Sequence, residues 1–325
     1  MYDVVRGQDA AIIRLKTAAR LGKVAHAYLF TGPPGVGKGT TAKAFAAALF
    51  CDEEAGTGEA CGRCPQCRMV NGAGHPDLHE VNPDGASIGI DQIRAAVFAV
   101  GRKPYRRRHV VIIDQAELCT AEAQNAFLKT LEEPPGETVF ILVSARPEAL
   151  LPTVVSRCCE VRFHRLKPEI IAGELVQRHG APEKEARVLA VLAGGSMSRA
   201  IELMDPKVAA LKEKALEMAM KPALAKVQEI VKNNKVEKTV AVKGLEFFSL
   251  WYRDLLLYRF TKDPGLVINA DHLAEVEKAG LPLKNLLAAA EAVEDGKKML
   301  RANVNPRLVL EGLVVRLSSV LNRIR

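Results

Sequence analysis

A parallel α/β domain followed by an all-helical region is the fold class the sequence predicts. Three observations predict it. A short apolar run, Ala27-Tyr28-Leu29-Phe30, leads through a glycine-rich turn, Gly32-Pro33-Pro34-Gly35-Val36-Gly37-Lys38, into an alanine-rich helix over 40–50. Further buried-strand runs alternate with helical spacing as far as residue 166, the pattern of a parallel sheet with helices on both faces. After Leu166-Lys167-Pro168 no convincing strand follows.

Each element has its own local reason. Ala11, Ile12, Leu15, Ala18 and Ala19 recur at helical spacing and predict a helix over 8–21. The strand at 27–30 and the helix at 40–50 flank the glycine turn. A cysteine-bearing insertion occupies 51–67. His79-Glu80-Val81 reads as a short strand, and 91–100 as a helix with Asp91 near its start. The apolar run 110–113 is a buried strand. Thr120 suits the N-cap of a helix running to about Glu133, which Pro134-Pro135-Gly136 stops. Strands are expected at 138–143 and 160–163. A small helical set fills 168–204, interrupted at Gly194-Gly195, and Asp205-Pro206 marks a boundary. Helices are then expected at 207–234, 237–260, 271–279, 282–301 and 306–324, punctuated by Asp263-Pro264-Gly265 and Asn305-Pro306. The expected domains are 1–166, 167–205 and 206–325.

At 325 residues the chain has length for two or three cores. Its 48% hydrophobic and 26% charged content is ordinary for a soluble protein. Aromatics make up 5% with one tryptophan, which argues against aromatic base-stacking platforms. No apolar run reaches the length of a membrane span and the first residues do not form a signal peptide, so a cytoplasmic protein with no membrane contact is expected. The net charge of +8 suits nucleic acid or an acidic partner as readily as a merely soluble basic protein. The densest basic cluster, Arg102, Lys103, Arg106, Arg107 and Arg108, reads as a solvated loop, with a phosphate-contacting patch as the sharper alternative. Cys119, Cys158 and Cys159 stand apart from the other cysteines and are expected as buried small hydrophobes.

The glycine turn carries the first chemistry. Gly32, Gly35 and Gly37 let backbone N–H groups turn onto phosphate oxygens at a helix N-terminus, and Lys38 would reach the β and γ phosphates of ATP. The position after the lysine, where Ser or Thr would ligate magnesium, holds Gly39, followed by Thr40. A Gly-Lys-Gly-Thr ending also resembles the loop of adenylate kinases, which is compatible with ATP binding, while residue 39 offers no hydroxyl for direct Mg2+ ligation; an inherited, empty loop is the plainer alternative. Asp114, at the end of its strand, would face magnesium through water. Gln115 stands where a catalytic base is wanted, and a carboxamide cannot take a proton from water. Glu117 falls on the following turn and is not expected to act as base. Hydrolysis should be slow or absent.

Cys51, Cys61, Cys64 and Cys67 carry the second chemistry. Two C-x-x-C steps share Cys64, and four sulfurs in one compact loop fit a tetrahedral, closed and therefore structural Zn2+ site. Redox chemistry or a free-thiol loop are the alternatives. His75 and His79 read as loop and strand residues rather than ligands. Arg157, in Ser156-Arg157-Cys158, could reach a neighbouring subunit's γ-phosphate in trans; a local salt bridge is the alternative.

These stretches, with His26 to Lys38, Asn125 to Pro135 and Asn303 to Glu311, span nearly the whole chain, and together they resemble the delta-prime subunits of bacterial DNA polymerase III clamp loaders, which are AAA+ proteins. The resemblance implies an AAA+ P-loop domain with an inserted zinc module, a helical lid and a helical collar. It implies a stator with little ATP hydrolysis of its own, a component of the DNA polymerase III holoenzyme. In that family the Ser-Arg-Cys arginine, here Arg157, serves the ATP site of an adjacent motor subunit. The implied partners are tau/gamma motor subunits and a delta subunit in a five-subunit ring, the sliding clamp, and primer-template DNA through the complex. Val4 and Val5 would flank an adenine. The family's sensor arginine follows a Gly-Ser pair; Gly195-Ser196 leads here to Arg199, one position late, with Ser198 in the family's place. Three rivals remain: a tau/gamma-type motor, against which stand Gln115, Gly39 and the displaced Arg199; a P-loop nucleotide kinase, suggested by Gly-Lys-Gly-Thr; and a pure scaffold that binds no nucleotide.

Overall fold

The computed structural model describes residues 2–72, 74–225, 227 and 236–321. The chain divides into two compact units, Met1–His179 with Ala193–Arg199, and Gly180–Leu192 with Ala200–Arg325.

The first unit is built on five strands, β1 Ala27–Thr31, β2 Leu78–Val81, β3 His109–Ile113, β4 Thr138–Ser144 and β5 Cys159–Arg162. They form one sheet in the order β2-β3-β4-β1-β5 with every pairing parallel. Consecutive side chains of a strand point to opposite faces. Tyr28, Phe30, Val110, Ile112, Val139 and Ile141 therefore enter one core, where Leu15, Ala42 and Phe45 meet them from α1 (Asp9–Arg20) and α2 (Lys38–Phe50). Leu29, Val111, Ile113, Phe140 and Leu142 enter the other. There they meet Ile93 and Ala96 of α4 (Ile90–Val100) and Phe127 and Leu131 of α5 (Ala121–Glu132). Both faces being buried is why the strands read as continuous apolar runs instead of alternating ones.

All five expected strands and the flanking helices are present, with shifts at the ends. Helix α2 begins at Lys38, two residues before its expected start, because the glycine turn closes directly into it. Strand β5 stops at Arg162, although the Phe163 N–H still donates to the Thr31 carbonyl at 2.8 Å. The Thr120 hydroxyl caps α5 by accepting from the Ala123 N–H at 3.2 Å. Two helices were not expected, α3 at Pro65–Asn71 and the one-turn helix at Pro152–Val155. Cys119, Cys158 and Cys159 are half-buried at the edges of the two cores, not fully inside them as expected; each sits at a turn or strand end where one side stays open. Further helices follow at α6 Pro152–Val155 and α7 Pro168–His179.

The second unit is helical. Its long helix, Lys238–Thr261, packs on Pro206–Met220, Leu283–Arg301 and Pro306–Leu321. Leu245, Phe248, Trp251, Tyr252, Val293, Leu313 and Leu317 are buried there, and the Tyr252 hydroxyl donates to the Ala219 carbonyl at 3.0 Å. Gly296 permits the close crossing, since a Cβ there would lie 2.9 Å from Leu245 Cδ2. The helix expected over 207–234 ends at Met220, ahead of Pro222; the remainder of that expectation includes 226 and 228–234, outside the described residues, as are 322–324 of the last helix. The helix expected over 271–279 is a single 3-10 turn, Ala270–His272, running into Leu273–Lys278. No described helix is long and apolar enough to cross a membrane.

Candidate nucleotide cleft and metal centre

The glycine turn departs from the carboxyl end of β1. Gly32 has φ +138, and a Cβ there would sit 2.3 Å from the Phe163 carbonyl oxygen, so only glycine fits. Gly35 has φ +73 and is crowded by Ser196 and Ser198, whose segment closes onto the loop: the Met197 and Ser198 N–H groups donate to the Gly35 carbonyl at 2.8 and 3.3 Å. Gly37, at φ +98, leads into α2. The Lys38 ammonium is buried and donates to the carbonyls of Gly32 (2.6 Å) and Pro33 (2.7 Å). Burial pulls its pKa below the ordinary lysine value, while the charges of Glu117 and Asp114 oppose that shift. A phosphate entering the cradle would compete with two neutral carbonyls for a positive charge, an exchange that favours the phosphate.

Pro34, Gly35, Gly37, Lys38, Gly39 and Thr40 line a cleft of about 370 Å³ together with Asp114, Gln115, Glu117 and Ser198. Asp114 continues the line of β3, its N–H donating to the Val81 carbonyl at 3.0 Å. Gln115 holds a left-handed backbone, φ +50, which is uncommon for a residue with a side chain and accumulates at functional sites. Glu117 lies on the 3-10 turn Ala116–Leu118, as expected from its position. Its Oε1 accepts from the Ala145 N–H at 3.2 Å, and its buried Oε2 has no partner among the described residues. The spacing of Asp114 and Glu117 could have drawn attention to this second carboxylate, because one turn of 3-10 helix brings it back over the same cleft.

The other expected nucleotide residues lie elsewhere. Val5 is buried, with Cγ1 3.3 Å from the place a Gly37 Cβ would occupy, and Val4 is exposed; neither lines the cleft. Ser198 lines it and Arg199 does not; the Arg199 N–H donates to the Ser196 hydroxyl at 3.3 Å. Arg157 follows α6, away from the cleft lining. Its guanidinium donates to the Thr153 carbonyl at 2.8 Å and pairs with Glu132, at the end of α5.

The four cysteines converge. One sulfur from each of Cys51, Cys61, Cys64 and Cys67 lies within 4.8 Å of all the others, and none is in a disulfide. Cys51 caps α2, and Cys64 caps α3 by accepting from the Cys67 N–H at 3.4 Å. Pro65 at the first position of α3 was the signal for that helix, since proline there costs no hydrogen bond. Backbone N–H groups aim at the sulfurs: Glu54 and Cys61 at Cys51 (both 3.4 Å), Arg63 and Cys64 at Cys61 (3.5 and 3.2 Å). Burial pushes the Cys64 thiol up, but donors from Cys67 and Asp52 outweigh it and bring it down to about 6. Burial raises the Cys67 and Cys61 thiols. A cation at the centre would let all four ionise, and the donor set with its N–H···S shell fits a metal such as zinc. His75 stacks on Phe50 at 4.0 Å and bonds Gln66 at 2.9 Å, while His79 lies in β2; neither belongs to the cluster.

The family model described as DNA polymerase III, delta subunit, matches residues 7–167. The chain is 32% identical to the DNA polymerase III subunit delta' of Bacillus subtilis over 91% of each chain. It is 34% identical to that of Pseudomonas aeruginosa, over 91% of this chain and 92% of the relative. The DNA polymerase III subunit tau of Bacillus subtilis is 27% identical over 97% of this chain, which spans 61% of that relative. Identity above 30% sustained along nine-tenths of both partners takes in the sheet, the glycine turn and the helical unit together, and on that ground the chain belongs to the DNA polymerase III delta' family of clamp-loader subunits.

Proposed function

We propose that this chain is the stator of a clamp loader: it supports ATP-driven loading of a sliding clamp onto primed DNA by lending Arg157 to a neighbouring motor subunit's ATP site, and it hydrolyses little or no ATP itself. The observation that carries the reading is Gln115. It lines the cleft beside Asp114, at the place where a base would have to take a proton from water, and a carboxamide cannot take it. Its partners on this reading are tau/gamma motor subunits and a delta subunit in a hetero-pentamer in the cytoplasm, and it belongs to the DNA polymerase III holoenzyme. Residues 1–166 act as the P-loop domain, 167–205 as a lid and 206–325 as the collar. The cysteine cluster holds zinc. ATP with Mg2+ is the ligand the cradle would take, and Val4, Val5 and Arg199, outside the cleft lining here, would flank it. Reconstitution with candidate motor and clamp-opening subunits tests the assignment: DNA-dependent ATPase that requires this chain supports it, and robust turnover by the chain alone overturns it. A motor reading has one observation in its favour, the Glu117 carboxylate over the cleft with an unpartnered oxygen.

The missing magnesium ligand gives a direct test of the cradle. A Cβ added at Gly39 would meet nothing within 4 Å, so a serine fits without displacing a neighbour. Gly39→Ser should tighten Mg2+-ATP binding by about tenfold, the worth of about 1.4 kcal/mol from one added oxygen ligand. Calorimetric titration should show the gain with Mg2+ present and none in excess chelator, and hydrolysis should stay low because Gln115 is untouched. Equal affinities with and without magnesium would show that residue 39 does not face the metal.

A further inference from the structure

At the end of the sheet opposite the glycine turn lies a larger cleft, of about 830 Å³. Its floor is the chain just before β1, β3 and β4; the end of α1 and the loop between Cys51 and Cys61 supply its walls. Four arginines line it, Arg20, Arg106, Arg107 and Arg108, against two carboxylates, Asp52 and Glu137. Arg106 pairs with Asp52 at 2.8 Å, tying the arginine loop to the cysteine loop. Arg107 and Arg108 share Glu137, at 3.2 and 3.1 Å. The Arg20 side chain makes no hydrogen bond or ion pair among the described residues, and the buried Nε–H of Arg108 lacks an acceptor. Tyr105, 65% exposed, adds an aromatic face at the rim with the Arg106 guanidinium over its ring.

We propose that this cleft binds the phosphodiester backbone of a nucleic acid strand, at a site separate from the ATP cradle. Guanidinium groups exceed carboxylates two to one, and their planar forks match phosphate oxygens with two parallel hydrogen bonds. Three of the arginines come from one loop just ahead of β3 and the fourth from α1, so the charges are spread around a trough, as a strand needs, instead of converging on one point. The exposed Tyr105 ring offers a base a stacking face that an acidic peptide would not use. The inference also gives the cysteine loop a use: whatever holds the four sulfurs together fixes Asp52, and with it the position of Arg106. It does not depend on the stator reading.

The test is fluorescence anisotropy of a labelled single-stranded oligonucleotide titrated with the full-length protein across a range of salt. Arg20→Ala with Arg107→Ala should weaken binding by about tenfold at low salt and reduce the slope of log affinity against log salt by about 1 for each cation removed. Lys43→Ala, on a residue outside the cleft paired with Glu80, should leave both unchanged. Arg20→Gln alone, which breaks no contact, should show a partial loss and guards against misfolding of the double variant. An affinity and slope unaltered in both cleft variants overturn the proposal. So does a loss confined to inorganic pyrophosphate, which would make the ligand a free phosphate compound, or equal binding of polyglutamate, which would make it an acidic peptide.

Discussion

If Arg157 acts on a neighbouring motor's ATP site as proposed, replacing it with alanine should lower ATP hydrolysis there by about 10³-fold or more in the reconstituted complex, while leaving this chain folded. The structural cost is small because the local partners are replaceable by water. The Arg157 side chain is 33% exposed and Glu132, its ion-pair partner, 51%, so a pair of this kind contributes between about 0 and 1 kcal/mol. The Thr153 carbonyl that accepts from Arg157 sits in a one-turn helix at the surface. On the stator reading, what the substitution removes is a fork of donors and a fixed positive charge at the point where charge builds up on a transferring phosphoryl group. Arg157→Lys should rescue little, since a point charge cannot reproduce the planar fork. Glu132→Ala supplies the complementary case: it releases the guanidinium from its resting partner and should leave the rate unchanged or raise it. The measurement is steady-state phosphate release with primed DNA and clamp present. An Arg157→Ala complex as fast as the parent removes Arg157 from its assigned place and leaves only the local salt bridge.

The sheet was legible because a strand buried on both faces has only one way to look in sequence: 110–113 and 138–143 are continuous apolar runs bounded by charge, proline or glycine. The Thr120 cap and the Pro134-Pro135 stop of α5 were legible for the same local reason. The glycine turn and the four cysteines were legible because their chemistry demands particular residues at fixed spacing. Helix α3 was not, since seven residues following a C-x-x-C turn show no full apolar period, and the cap that starts the helix is a sulfur. Glu117 reaches the cleft through a 3-10 turn after a left-handed Gln115, and in sequence only its three-residue spacing from Asp114 hints at that. Cys119, Cys158 and Cys159 were placed too deep, since composition speaks for an average cysteine and not for one at the end of an element. The basic cluster at 102–108 is the mostly exposed loop its sequence suggests. What the sequence does not show is that three of its arginines are paired and that the fold brings Arg20 from another element beside them.

Stripping the metal from the cysteine cluster should loosen residues 51–72 without dissolving the sheet. Cys51, Cys64 and Cys67 are buried in the same core as Phe45 and Leu15, so metal loss leaves buried thiols that cannot all ionise side by side and must take up protons or separate. Structural zinc in small domains contributes on the order of 10 kcal/mol of apparent binding energy, and part of that reappears here as folding stability because the unfolded loop offers no preformed site. Chelation should therefore lower the thermal midpoint by on the order of 10 °C. Hydrogen exchange should localise the effect. Amides of α3 and those aimed at the sulfurs should lose protection, while β1 and β4, paired in the middle of the sheet, should keep theirs. The sign of the pH dependence follows from the ligands: metal binds thiolates and displaces their protons, so affinity falls as pH falls, and acid should mimic the chelator. Cys67→Ser, which removes a fully buried ligand, should reproduce the loosened state with no chelator present. Native protein without stoichiometric zinc, or an exchange pattern that chelation leaves untouched, would return the four cysteines to the status of a free-thiol loop.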